Sequence, residues 1–210
     1  MEDIKPSRKN KPGAYYVVNA ITMYRLASAP VLLLLAYLGY HDLFKWLIAF
    51  SFFTDAIDGP ISRKYKVTSV FGAKLDSVAD DATVIVATIA LWFINPEFIR
   101  GHWPAIVVMV GFLTIQMIAA LMAYGKVTSF HTYLAKTAAV AQAIFFFTIY
   151  FNTPLVEAAF YLAIVISIVQ QIEDIIIVIV EPEWRANVKG LYWVLREKNR
   201  PARRRKAAMR

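Results

Sequence analysis

Four aspartates, Asp55, Asp58, Asp76 and Asp80, lie in the stretch DAIDGPISRKYKVTSVFGAKLDSVAD, preceded by LFKWLIAFSFFT and followed by DATVIVATIALWF. A carboxylate in so apolar a setting is expensive unless it is paired or bound to a cation, so the cluster points to function. Residues three, four and seven apart share a helix face. Asp55, Asp58, Gly59, Ser62 and Arg63 therefore form one stripe, and Gly72, Asp76 and Asp80 form a second. The connection between them is short, so the stripes can face each other at one depth. Four carboxylates at close range repel and take up protons unless a cation neutralises them. Hard oxygen ligands without His or Cys favour Mg²⁺, Mn²⁺ or Ca²⁺ over zinc. The glycines leave room for a close approach, and Arg63 offers a fork suited to phosphate. Together these groups suit phosphoryl transfer, in which cations neutralise a diphosphate and a base receives the nucleophile's proton. The competing reading is an inert buried network in which the aspartates pair with Arg25, Lys74, Lys126 or Lys136.

The elements that must position these residues are membrane helices. Of 210 residues, 59% are hydrophobic, and the mean hydropathy is +0.50, too apolar for an ordinary soluble domain. Apolar runs near the length of a bilayer span recur. They predict an all-α integral membrane bundle of six transmembrane helices: 17–40, 43–63, 70–94, 103–124, 133–151 and 155–180. The first contains Arg25 and lacks a small-residue cleavage pattern, so it reads as a span rather than a removable signal. Residues 1–184 form the membrane domain and 185–210 a basic tail. Six spans put both termini on one side with Lys5, Arg8, Lys9, Lys11, Arg63, Lys64, Lys66, Lys126 and the tail, against Lys45 and Arg100 opposite. This asymmetry makes the termini cytoplasmic, in the cell or inner membrane. The tail NRPARRRKAAMR is expected to meet anionic headgroups rather than nucleic acid. The chain has no cysteine, which excludes disulfides and thiolate metal sites.

The aspartate segment resembles the signature of the CDP-alcohol phosphotransferases, D-x2-D-G-x2-A-R-x8-G-x3-D-x3-D. Asp55, Asp58, Gly59, Arg63, Gly72, Asp76 and Asp80 fall on their places, and Ser62 replaces the usual alanine. Pro60, at a free position, removes a helix N–H. Upstream, NAITMYRL (Asn19 to Leu26) is similar to the opening of the first span in many members. The resemblance implies transfer of a substituted phosphate, phosphatidyl from CDP-diacylglycerol, to an alcohol with release of CMP. It implies that Asp55, Asp58 and Asp76 hold a pair of divalent cations, Mg²⁺ or Mn²⁺, with Asp80 beside them as a further ligand and as the base. Asp58, Gly59, Ser62, Arg63 and Gly72 would line the nucleotide pocket. Relatives that make phosphatidylglycerol phosphate or cardiolipin often read D-P-x-A-D-K where this chain reads DSVADD, which leaves the acceptor open.

Other residues carry weaker signals. Lys126, His131, Thr132 and Lys136 lie near the expected cavity mouth and suit an anionic acceptor; as ordinary flanking residues they would do no more than snorkel. Asp81 points about 100° away from Asp80 around the helix and is expected to pair with a neighbouring cation. Glu173 and Asp174 are expected to form salt bridges to Lys126, Lys136 or Arg25. Trp46, Trp92, Trp103, Tyr15 and Tyr16 lie near span ends, as interfacial aromatics do. Ala119, Ala120, Ala123 and Gly125 would let helices approach closely, against a second copy of the chain in a homodimer. Three other functions compete. A CDP-choline or CDP-ethanolamine transferase would use diacylglycerol as acceptor. An intramembrane Mg²⁺-dependent prenyltransferase would place its motifs on well-separated helices. A cation transporter would hold its acidic residues near the midplane.

Overall fold

The computed structural model describes residues 12–65, 70–125, 130, 132–181 and 188–198; within these, the side chains at 12–19, 56, 58–65, 70–74, 76 and 77 lie outside the description. The described residues form seven helices: α1 (Pro12–Tyr37), α2 (His41–Tyr65), α3 (Val70–Ile94), α4 (Pro96–Tyr124), α5 (Tyr133–Tyr150), α6 (Val156–Val180) and α7 (Leu191–Lys198). Four of them contain segments long and apolar enough to cross a membrane, in α1, α4, α5 and α6. The expected spans on α2 and α3 form helices of 25 residues each, roughly 37 Å long. Large apolar side chains point outward along the helices: Phe53 is 62% exposed, Met122 83% and Ile179 76%. Faces of this kind belong against lipid.

The chain divides into two compact units, residues 1–101 and 102–210. In the first, α1 packs against α2 and α3. Its buried seam reads Thr22, Arg25, Ala29, Leu32 and Ala36, alternating by three and four as one helix face requires. Phe44, Ile48 and Ser51 continue the core on α2, and Ala79, Thr83, Val86, Ala87, Ala90 and Leu91 on α3. Small residues dominate the α3 face, which lets α1 lie close. A Schellman motif ends α1: Tyr40 N–H donates to Leu35 O and Gly39 N–H to Ala36 O, with Gly39 at φ +81°. The chain therefore reverses within three residues and sends α2 back beside α1. Helix α2 runs unbroken through Pro60.

In the second unit α5 packs against α6, and α7 folds back onto α6. His102 and Glu157 meet at 2.8 Å between α4 and α6. Ala120, Phe130, Ile177, Val178, Val188 and Val194 form one buried cluster, which joins the ends of α4 and α6 to the segment around α7. Helix α7 lies within the 185–210 segment expected to be a basic tail.

Candidate active site

Helix register places the aspartates before any side chain is considered. Asp55 lies fourteen residues beyond the start of α2, and Asp80 lies fourteen residues before the end of α3. Each is therefore about 21 Å along its helix from the same end of the α2–α3 pair. Asp58 and Asp76 occupy the next turn outward on the same two helices. The four positions make two rungs, Asp55 with Asp80 and Asp58 with Asp76.

The inner rung is closed by a third helix. Arg25 of α1 donates from Nη1 to Asp55 Oδ1 at 2.8 Å and from Nη2 to Asp80 Oδ1. Its side chain is 1% exposed, whereas those of Asp55 and Asp80 are 39% and 44% exposed. The guanidinium is a floor beneath two carboxylates that remain open above it. This bridge joins α1, α2 and α3 through charge-assisted bonds to a group that stays protonated. In sequence Arg25 is one of several cations within reach of these aspartates. Its place on the Thr22–Ala36 seam is the signal that singles it out.

The backbone of Asp58, Gly59, Ser62, Arg63, Gly72 and Asp76 is helical, and their side chains lie outside the described residues. Lys126 and His131 also lie outside them. Among the described residues no group of three metal-ligating side chains is present; the described pair is half of the expected set. The chemistry of that pair nevertheless suits a hard divalent cation: it offers carboxylate oxygen alone, half open, and without a described His or Cys beside it.

Thr132, expected to bind the acceptor, is fully buried and is the N-cap of α5, its hydroxyl accepting from Ala135 N–H at 3.0 Å. Lys136 is exposed one turn on, its Nζ 5.6 Å from the Tyr133 ring centroid. Asp81 is exposed on α3. Among the described residues, Glu173 and Asp174 meet neutral partners instead of Lys136 or Arg25. Gln116 and Gln170 amides donate to Asp174 Oδ2 at 2.8 and 2.5 Å, and Leu191 N–H donates to Glu173 Oε1 at 2.9 Å. Asp174 faces α4 across the core, where neutral amides are buried at less cost than a lysine would be. Ala120, expected at a helix contact, is buried in its own chain's core.

An all-helical membrane chain with an acidic rung on two adjoining helices defines a narrow class, and sequence comparison settles which. Residues 15–169 match the CDP-alcohol phosphatidyltransferase family, and the chain belongs to it. A CDP-diacylglycerol–glycerol-3-phosphate 3-phosphatidyltransferase of Pectobacterium atrosepticum is 29% identical over 170 residues, covering 73% of this chain and 89% of that protein. A protein of the same name from Pseudomonas fluorescens is 37% identical over 78 residues, 36% of this chain and 40% of that protein. A cardiolipin synthase (CMP-forming)/mitochondrial hydrolase fusion protein of Schizosaccharomyces pombe is 38% identical over 90 residues, 41% of this chain and 14% of the fusion. The matches to the last two thus span less than half of each relative's length. No solved structure matches the chain significantly. The family uses divalent metals.

Proposed function

We propose that this protein transfers a phosphatidyl group from CDP-diacylglycerol to a small anionic alcohol and releases CMP. Glycerol 3-phosphate is the first acceptor to test, because it appears in the names of two of its relatives. The observation that carries the reading is the convergence of Asp55 and Asp80 on Arg25 within the matched segment. An inert network would need no open carboxylates, and these two are half exposed.

Asp55, Asp58, Asp76 and Asp80 would hold a pair of divalent cations, Mg²⁺ or Mn²⁺. Bound there, the cations supply positive charge against the donor's diphosphate. Gly59, Ser62, Arg63 and Gly72 line the nucleotide pocket, where the small residues admit the cytidine and the Arg63 fork suits a phosphate. Asp80 accepts the acceptor's hydroxyl proton; the alcohol oxygen bonds to phosphorus, and the bond from phosphorus to the CMP oxygen breaks. The Arg25 contact fixes the Asp80 carboxylate in place, with its side chain 44% exposed. Thr132 caps α5 and so sets the direction of Lys136, which, with Lys126 and His131, attracts the anionic acceptor. The site opens to the cytoplasm, where the basic loops gather and the donor's headgroup lies while its acyl chains stay in the bilayer. The exposed Ala123 near the end of α4 and Gly125 just beyond it support a homodimer contact.

The test offers purified protein CDP-diacylglycerol, Mg²⁺ and a panel of alcohols. CMP release with a new phosphatidyl lipid, abolished by EDTA, is expected. No CMP with any acceptor would remove the reading. CMP release from CDP-choline with diacylglycerol would replace it with the other transferase.

A further inference from the structure

The family signature runs from Asp55 to Asp80 and does not include Arg25, yet the structure makes Arg25 the floor of the inner rung. We propose that Arg25 is the resident counter-cation of this site, and that its charge weakens divalent-cation binding by Asp55 and Asp80 until a donor diphosphate arrives. The inference rests on the transferase reading above and concerns how that site loads.

Three observations carry it. Arg25 takes one oxygen from each carboxylate, so the pair presents about one net negative charge instead of two. Its side chain is 1% exposed, and its seam neighbours Ala29 and Leu32 are buried and apolar. Swinging away from the aspartates would strand a buried charge, so Arg25 stays in place. Asp55 and Asp80 open on the side away from it. A dication approaching that open side still meets a fixed positive charge beneath the carboxylates, within a few ångströms.

At such a separation, repulsion near a protein surface is worth more than a factor of about ten in affinity. A diphosphate brings negative charge to the same place and reverses the balance. Cation and donor therefore raise each other's affinity, by the reciprocity that binding equilibria require. Without a donor, Arg25 also keeps two carboxylates from facing each other uncompensated inside a membrane protein.

The experiment titrates full-length protein in detergent micelles with Mn²⁺, without donor, and reads free Mn²⁺ by electron paramagnetic resonance. Arg25→Gln is expected to bind Mn²⁺ at least about tenfold more tightly than the parent. Arg25→Lys, whose single ammonium reaches one carboxylate at a time, is expected to fall between them. In the parent, CDP should tighten Mn²⁺ binding. Equal or weaker Mn²⁺ binding by folded Arg25→Gln would overturn the proposal. Should that variant fail to fold even with Mn²⁺ present, Arg25→Lys decides: tighter binding supports the proposal, and unchanged or weaker binding overturns it. Parent protein that releases CMP, with no shift in the variants, sinks this inference alone. The Mn²⁺ shift in a parent that releases no CMP sinks the transferase reading and leaves the counter-cation standing. A parent and an Arg25→Gln variant that both bind no Mn²⁺, with or without CDP, sink both.

Discussion

Asp80 is asked to bond Arg25, to stand beside cations and to accept a proton. Asparagine separates these duties, because its carbonyl oxygen can still accept from Arg25 while the side chain cannot take a proton from an alcohol. Asp80→Asn is therefore expected to lower turnover by about 10²–10⁴-fold, the usual contribution of a general base. Donor affinity at saturating Mg²⁺, measured by calorimetry, should survive. Asp55→Asn should instead weaken donor and metal binding together. Equal loss of donor binding in both variants would make Asp80 primarily a ligand. Lys136→Ala is expected to raise the acceptor KM more than it changes donor binding, since Lys136 is exposed one turn beyond the α5 cap. Unchanged acceptor kinetics would reduce Lys136 to a residue that holds its charge at the membrane surface. The aspartate spacing was legible in the sequence because three-and-four periodicity reports a face along one helix. Which cation lay under that face was not, because pairing across helices depends on how α1 sits against α2 and α3. The same limit explains Gln116, which reaches Asp174 from α4; Gln170 lies four residues back on α6, but it is neutral, and a search for opposite charge passes over it.

At the scale of elements, α7 is the piece that periodicity did not reveal. It has eight residues, one of them buried, and basic residues surround it, so its pattern is too short to separate from a charged tail. What holds it is local. Glu173 on α6 accepts from Leu191 N–H at the start of α7, and Tyr133 N–H on α5 donates to Lys189 O at 3.1 Å. The turn before α7 therefore ties the end of α6 to the start of α5, next to the Thr132 cap. Gly190 between them has φ +149°, and an added Cβ would come 3.1 Å from Glu173 Oε1. That oxygen cannot move away without releasing Leu191. Gly190→Ala is thus expected to detach α7, and Glu173→Ala to loosen it by about 1 kcal/mol, the usual worth of a helix cap. Hydrogen exchange at Leu191–Val194 measures both, with the glycine variant faster. Protection equal to the parent's in both variants would show that Val194 packing alone holds the helix.

At the scale of the whole molecule, the aspartate site turns on α2 and α3 crossing the bilayer. They are not among the four apolar spans found in the described residues, yet at 25 residues each they are long enough. Four crossings and six both leave the two termini on one side, so the termini cannot discriminate. The connection between α2 and α3 can. If both helices cross, residue 67 is cytoplasmic while Gly39 and Asn95 lie opposite. If neither crosses, all three share the far side. The inner rung favours crossing: Asp55 and Asp80 lie about 21 Å from the α1–α2 turn end, beside a buried Arg25 midway along the apolar α1. A pair lying flat on the surface would have no reason to meet a buried arginine there. The chain has no cysteine, so single cysteines at 39, 67 and 95 can be labelled in intact cells with an impermeant maleimide, before and after lysis. Val67→Cys is expected to label only after lysis, and the other two before it. Labelling of all three from outside would return α2 and α3 to the outer surface and would remove the cytoplasmic site with them.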